Sequence, residues 1–235
     1  MAEKIKYTRK DLKGPDEFIS TFGRAVLWSK ENQLKITAGI LAVAVVLAFV
    51  FGGRAYFQRQ DRKAAVEIWP YLKQARLVMA TQADANPESL KAVEQTISSL
   101  ASKYKGTKTA FFAQYFLGDI AFARGDYEAS ASIYNEAIKK TGRKDRLMVF
   151  LLNSGTGKSR EAAGDYAGAA EAYGKAANSA DAASAMRTIA QLDQARALEL
   201  ANKKSEAIAL YRKIIEENPE STQKDFIEIK IARME

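Results

Sequence analysis

The chain has 235 residues, 47% of them apolar and 27% charged, with neither Cys nor His and a formal net charge of +8. Metal sites and nucleophiles built on thiolate or imidazole are excluded, as is a disulfide framework. The apolar fraction is enough for a packed core, which argues against a wholly disordered chain. The charge is uneven: residues 1–63 carry 12 Lys and Arg against 6 Asp and Glu, while 64–235 carry 24 against 22. A near-neutral remainder without a basic-aromatic stripe is a poor trap for phosphates, so no nucleic-acid partner is expected.

The segment GPDEFISTFGRAVLWSKEN, Gly14 to Asn32, predicts a short helix. Gly14 and Pro15 stand at its start, acids fill its first turn, and Phe18, Phe22 and Val26 recur at four-residue spacing. Such a helix is expected to lie along a membrane surface. From Ile36 to Gly53 the chain runs ITAGILAVAVVLAFVFGG without a charge, bounded by Lys35 and Arg54. At about 1.5 Å per residue this stretch covers about 27 Å, near the thickness of a bilayer's hydrocarbon core.

No small-residue cleavage site closes the stretch, so an uncleaved signal anchor is expected. Tyr56 and Phe57 follow where interfacial aromatics belong, with Arg54 and Arg59 to reach head groups. Ala44, Ala48 and Gly52 form a small-residue stripe of the kind that admits a neighbouring helix. The expected organisation is a basic cytoplasmic tail over 1–35, a transmembrane helix over 36–53 and a helical domain over 54–235. Orientation stays open on charge. Arg24, Lys30 and Lys35 precede the span and Arg54, Arg59, Arg62, Lys63 and Lys73 follow it, but Lys4, Lys6, Arg9, Lys10 and Lys13 reverse that balance.

Self-comparison of the remainder finds a repeat. At an offset of 39, Gly118, Gly125, Asp126, Tyr127, Tyr134 and Ala137 match Gly157, Gly164, Asp165, Tyr166, Tyr173 and Ala176. A weaker third copy places Ala207 and Tyr211 at an offset of 38. Each position has a physical task in a helix-turn-helix unit. Gly125 and Gly164 end the first helix in the left-handed region, and Asp126 and Asp165 cap the second. Tyr134, Tyr173 and Tyr211 share a buried face with Ala137, Ala176 and Ile214, and the small residues Gly118, Gly157 and Ala195 let the paired helices approach.

This arrangement resembles tetratricopeptide repeats, with Pro219 as a closing proline, Ser130 where a small Ala is usual, and a worn earlier unit whose helix opens at Asn86 and Pro87 and runs to about Tyr104. The fold expected is all-α: one N-terminal transmembrane helix followed by a tetratricopeptide-like helical-hairpin solenoid. Spacings of 38 and 39 residues, against about 34 in that family, imply longer turns between units.

One motif points elsewhere. SGTGKS, Ser154 to Ser159, follows the apolar run LMVFLL and looks like a phosphate-binding loop, with Lys158 and Ser159 as ligands of a nucleotide. Against it, the first glycine of that pattern is replaced by Leu152, and Gly157 is in register with Gly118 inside the repeat.

The resemblance to hairpin solenoids implies a concave surface lined by first helices that binds segments of other proteins. By register the lining residues are Phe112, Tyr115, Asp119 and Phe122, then Leu151, Ser154, Lys158 and Glu161, then Ile189, Leu192, Arg196 and Glu199. An equally plain reading makes Phe112, Phe122, Leu151 and Ile189 core residues. No catalytic residue, metal or cofactor is assigned.

In layout, a basic tail, one span ending in Arg54, Tyr56 and Phe57, an Ala-rich helix beginning near Ala64 and worn hairpin repeats, the chain resembles the bacterial YfgM-like ancillary proteins of the Sec translocon. The resemblance implies a single-pass inner-membrane protein with a periplasmic C-terminal domain and a chaperone-like or adaptor role. Its implied partners are translocon subunits, a membrane-anchored prolyl isomerase and exported chains. A cytoplasm-facing membrane scaffold is the alternative that the local charge count favours.

Overall fold

The computed structural model describes residues 17–80, 87–141, 145–181 and 184–235. The basic tail, Gly14, Pro15 and Asn86 lie outside them, as do the side chains of Phe18 and Phe22. The helices are α1 (Glu17–Glu31), α2 (Gln33–Ala80), α3 (Pro87–Lys103), α4 (Lys108–Ala123), α5 (Tyr127–Lys140), α6 (Arg146–Ala162), α7 (Tyr166–Ser179), α8 (Ala185–Leu200), α9 (Lys204–Glu217) and α10 (Lys224–Met234). Among the described residues there is no strand, and the all-α expectation holds. The chain divides into two units, Met1–Phe57 and Gln58–Glu235.

In the first unit, the short helix expected before the span is α1, and Leu27 and Trp28 stand exposed near its end. Asn32 separates α1 from α2, its backbone N–H donating to Trp28 O at 2.9 Å and its side-chain Nδ2 to the same oxygen at 3.0 Å. The described residues hold one helix long and apolar enough to cross a membrane, α2, and none of its apolar window is buried against protein.

One expectation is corrected here. The Ala-rich helix does not begin anew near Ala64, because α2 runs unbroken from Gln33 to Ala80 through Gly52, Gly53 and Pro70. A helix-interior Gly costs only about 1 kcal/mol, and Asp61, the one residue of N-cap type between Gly53 and Ala64, accepts instead from the Thr109 N–H of α4. Pro70 is a stronger breaker, costing about 3 kcal/mol. It is flanked by Ile68 and Leu72, both fully buried, whose packing holds the helix through it.

In the second unit, Ala64, Ile68, Leu72 and Ala75 of α2 form a buried stripe at helical spacing. They pack with Leu90, Val93 and Ile97 of α3 and Ala113, Phe116 and Ile120 of α4 in one core cluster. Polar contacts fix the same segment. The Thr109 N–H in the first turn of α4 donates to Asp61 Oδ1 at 2.9 Å, and Glu67 accepts from Lys103 Nζ at 2.7 Å and Tyr104 Oη at 2.6 Å. The worn unit expected before residue 108 is therefore a pair, α3 with the C-terminal part of α2.

Three hairpins follow, α4 with α5, α6 with α7 and α8 with α9, and α10 packs on α9. Within each, the turn repeats. Gly125 and Gly164 sit at φ +81° and +82°, and Asn202 fills the third position at +61°. The next residue donates its N–H five residues back: Asp126 to Ala121 O, Asp165 to Arg160 O and Lys203 to Leu198 O, at 3.0, 2.8 and 2.9 Å. Asp126 and Asp165 cap their helices by accepting from Ala129 N–H and Gly168 N–H, whereas Lys203 makes no side-chain cap. Asp165→Ala is expected to lower stability by about 1 kcal/mol, and Lys203→Ala by clearly less. Equal thermal shifts for the two variants would refute the capping role.

Between hairpins the connections span residues 141–145 and 180–184, longer than the turns inside them, as the 38- and 39-residue period implies. The hairpins close on tyrosines. A Cβ on Gly118 would lie 2.3 Å from Tyr134 Cε1, and one on Gly155, from the next hairpin, 2.7 Å from Tyr134 Cζ. Tyr134 is thus clasped between backbones of two units. A Cβ on Gly157 would likewise lie 2.7 Å from Tyr173 Cδ1, while Ala195 and Tyr211 are buried together in the C-terminal core cluster.

Candidate functional site

The phosphate-loop reading is overturned by local structure. Ser154 to Ser159 lie in the middle of α6, where the backbone N–H groups that would cradle a phosphate are spent on helical bonds. Ser159 is fully buried, its Oγ within 2.9 Å of Gly155 O and 2.8 Å of Ser130 Oγ. Lys158 is exposed, but its Nζ sits 4.9 Å from the centre of the Phe122 ring. Ser130, the departure from the usual small Ala, also donates to Gly118 O at 2.8 Å, so Ser130 and Ser159 form one buried hydroxyl pair between hairpins. Among the described residues no group of acidic side chains is arranged to hold a metal ion.

The twelve lining positions all keep some exposure: Lys158 and Ile189 are exposed and the others half-buried. They do not form one continuous set. Phe112 and Tyr115 stack at 6.1 Å, and Tyr115 lies 5.6 Å from Tyr134. Phe122 packs on Tyr127 at 5.1 Å, beneath Lys158. A depression of about 410 Å³ joins Phe122, Lys158, Glu161, Tyr173 and Arg196. Leu151 and Leu192 lean on core clusters, and Ile189, 54% exposed, lines a separate hollow with Asn218 to Gln223. Ser154 is half-buried one turn before Lys158.

The charged positions turn out to face one another. Tyr134 Oη donates to Asp119 Oδ1 at 2.6 Å, Tyr173 Oη donates to Glu161 Oε2 at 3.1 Å, and Tyr211 hydrogen-bonds Glu199. Each carboxylate also meets a cation from the following element. Lys158 acts on Asp119 through space, Arg196 bonds Glu161, and Lys230 of α10 bonds Glu199 at 3.0 Å. Arg196 is further engaged by Asp193 at 2.7 Å. A chain of carboxylates and cations thus runs diagonally across successive hairpins, each link accepting a tyrosine hydroxyl from its own second helix.

Burial pushes the Asp119 carboxyl above its ordinary pKa, while the Tyr134 hydroxyl, Lys158 and Arg76 pull it down. Burial likewise raises the Tyr134 and Tyr173 hydroxyls, and holds those of Tyr115 and Tyr211 at about 12. Folded Asp119 keeps its proton to higher pH than the unfolded chain does. Its contribution therefore becomes more favourable as pH falls through the raised folded value toward about 4. Asp119→Asn should remove that gain, so the stability difference, wild type minus variant, should rise on acidification. A difference independent of pH between neutrality and about pH 4 would contradict this assignment.

Register along the repeats leaves out one wall of the surface. Trp69 of α2 is 46% exposed and stacks on Phe112 at 5.8 Å, and Arg76, two turns on, lies 5.5 Å over the Phe116 ring. No Gly-Asp-Tyr turn marks this pair of helices. The signal was the Ala64, Ile68, Leu72, Ala75 stripe, which leaves Trp69, Lys73 and Arg76 along a neighbouring face.

Stacked helical hairpins define a class, the α-solenoid scaffolds of protein–protein interaction. The repeat is tetratricopeptide-like: the tetratricopeptide repeat family profile matches residues 110–145 and 155–222. Among solved structures, the chain is similar to a Podosopora anserina protein described as a kinesin light chain with nearly identical TPR-like repeats, at TM-score 0.57 and 12% identity over 74% of this chain and 86% of that one. A single-substitution variant of that protein gives TM-score 0.57 at 11% identity, over 74% of this chain and 85% of that one. No curated protein sequence matches the chain. Repeats of this kind are typically non-enzymatic scaffolds for protein partners.

Proposed function

We propose that this is a membrane-anchored protein-binding module, a chaperone-like or adaptor subunit working beside the Sec translocon from the periplasmic face of a bacterial inner membrane. The observation that carries the anchoring is the apolar window of α2, on which no described residue packs, in a chain that carries tetratricopeptide-like repeats over 110–145 and 155–222. A hydrocarbon environment satisfies such a stretch where water does not. The layout of tail, span and hairpin repeats supports translocon subunits, a membrane-anchored prolyl isomerase and exported chains as partners. Phe112, Tyr115, Asp119, Phe122, Leu151, Ser154, Lys158, Glu161, Ile189, Leu192, Arg196 and Glu199 are the proposed lining of the groove.

Topology tests this reading, and the absence of Cys makes the test clean. Single cysteines placed at position 2 and after Glu235 are labelled in intact cells with an impermeant thiol reagent. Labelling of the C-terminal cysteine once the outer membrane is permeable is the expected result. Protection of the C-terminal cysteine overturns the periplasmic assignment in favour of a cytoplasm-facing scaffold, the reading that the five basic residues after the span support. Co-purification of translocon subunits after crosslinking of intact membranes checks the partner; their absence removes the translocon from the proposal.

A further inference from the structure

The inner face of the second unit has two halves that differ in how their charges are used. Toward α10 every lining cation is engaged: Arg196 by Glu161 and Asp193, Lys230 by Glu199. Toward α2 the situation is reversed. Lys73, Arg76 and Lys158 are exposed, and among the described residues none of them makes an ion pair. Arg76 and Lys158 instead lie over the rings of Phe116 and Phe122, at 5.5 and 4.9 Å. A cation resting on an aromatic face keeps donors free for an incoming acceptor.

The same half carries the aromatic surface. Trp69, Phe112 and Tyr115 follow one another at ring separations of 5.8 and 6.1 Å, all at least partly open to solvent. Two carboxylates lie among these groups: Asp119, which accepts from Tyr134 at 2.6 Å, and Glu161, which shares the depression with Phe122 and Lys158 and is ion-paired to Arg196. With Glu161 matched by Arg196, the cations Arg76 and Lys158 against Asp119 leave this surface positive although the domain as a whole is nearly neutral.

We infer that this half of the groove, Trp69, Phe112, Tyr115 and Phe122 with Arg76 and Lys158, docks an extended polypeptide segment in which acidic side chains alternate with apolar or aromatic ones. Alternation suits the site because an extended strand presents successive side chains to opposite sides, one row toward the rings and one toward the cations. The inference rests on the groove reading above and adds the chemistry of its occupant. Charge complementarity of this type sets selectivity and association rate more than raw affinity.

The test uses the full chain, carrying Trp28→Phe, in nanodiscs; the substitution leaves Trp69 as the sole tryptophan and a reporter within the site. Three synthetic peptides are titrated: one alternating Glu with Leu and Phe, and two in which Gln or Lys replaces Glu. The Glu peptide is expected to give a saturable change in Trp69 emission that weakens with salt, and the Gln peptide to bind about tenfold more weakly. Arg76→Gln combined with Lys158→Gln should reduce the Glu peptide to the level of the Gln peptide, while Lys175→Gln, at an exposed position of α7 outside the lining, should leave it unchanged. Equal binding of the Glu and Gln peptides, or tighter binding of the Lys peptide, overturns the acidic preference and leaves a general groove standing. No saturable binding of any peptide removes the docking surface and, with it, this groove as the working site.

Discussion

Tyr134→Ala is expected to lower the stability of the repeat domain by about 4 kcal/mol, one of the largest effects available to a single substitution in this chain. Three losses coincide at this side chain. Its ring is 2% exposed and clasped between Gly118 and Gly155 of adjacent hairpins, so removal opens a cavity that neither backbone can collapse to fill. Its ring contact with Tyr115 disappears. Asp119 loses its hydroxyl donor and is left half-buried, with only the more distant fields of Lys158 and Arg76. Tyr134→Phe keeps the packing and should cost about 1 to 2 kcal/mol. Denaturant titration of the full chain in micelles separates these outcomes. If the Ala and Phe variants lose the same amount, the hydroxyl rather than the clasped ring is the main contributor, and the packing account fails.

The second expectation concerns the sign of Gly118→Ala. Helix propensity alone predicts a gain of about 1 kcal/mol from replacing a mid-helix glycine. Geometry predicts the reverse, since the added methyl would stand 2.3 Å from Tyr134 Cε1 and a buried ring cannot swing aside without disturbing Gly155 behind it. Overpacking of this kind costs about 1 to 3 kcal/mol, so a net loss of about 2 kcal/mol is expected. A double-mutant cycle assigns the cause. In the Tyr134→Ala background the methyl enters the vacated space, and the substitution should become neutral or stabilising. An unchanged loss in that background would show that the glycine is needed for something other than the tyrosine.

The backbone plan of the repeats could be read from the sequence because it is carried by residues with few alternatives. Gly125 and Gly164 occupy the left-handed turns, Asp126 and Asp165 cap, and Tyr134, Tyr173 and Tyr211 are buried, as their spacing requires. The third turn was harder to see, because Asn202 tolerates the same conformation as glycine and Lys203 does not cap. The extent of α2 was not legible either. Where the apolar, unburied part of α2 passes into the part that joins a protein core, the apolar pattern changes period but nothing breaks the helix, and local signals report breaks.

Surface chemistry was less accessible for a different reason. Register offered Asp119, Lys158, Glu161, Arg196 and Glu199 as candidate lining positions, but it compares equivalent residues and is blind to bonds between non-equivalent ones. Glu161 with Arg196 and Glu199 with Lys230 are 35 and 31 residues apart in the chain, and such pairs emerge only when neighbouring hairpins stack. Ser159 shows the opposite error, a local motif that looked like chemistry and is a buried hydroxyl bonded to Ser130.

The diagonal charge chain carries a consequence for how this solenoid can evolve or be engineered. Its carboxylates are not equivalent: Glu161 and Glu199 share a position, whereas Asp119 stands one helical turn earlier, where Phe122 occupies the place of those glutamates. A hairpin moved, duplicated or deleted would present its carboxylate to the wrong neighbour and strand a half-buried charge, which is costly. The units are therefore not interchangeable beads on a string; their order along the chain is written into the electrostatics of the joints.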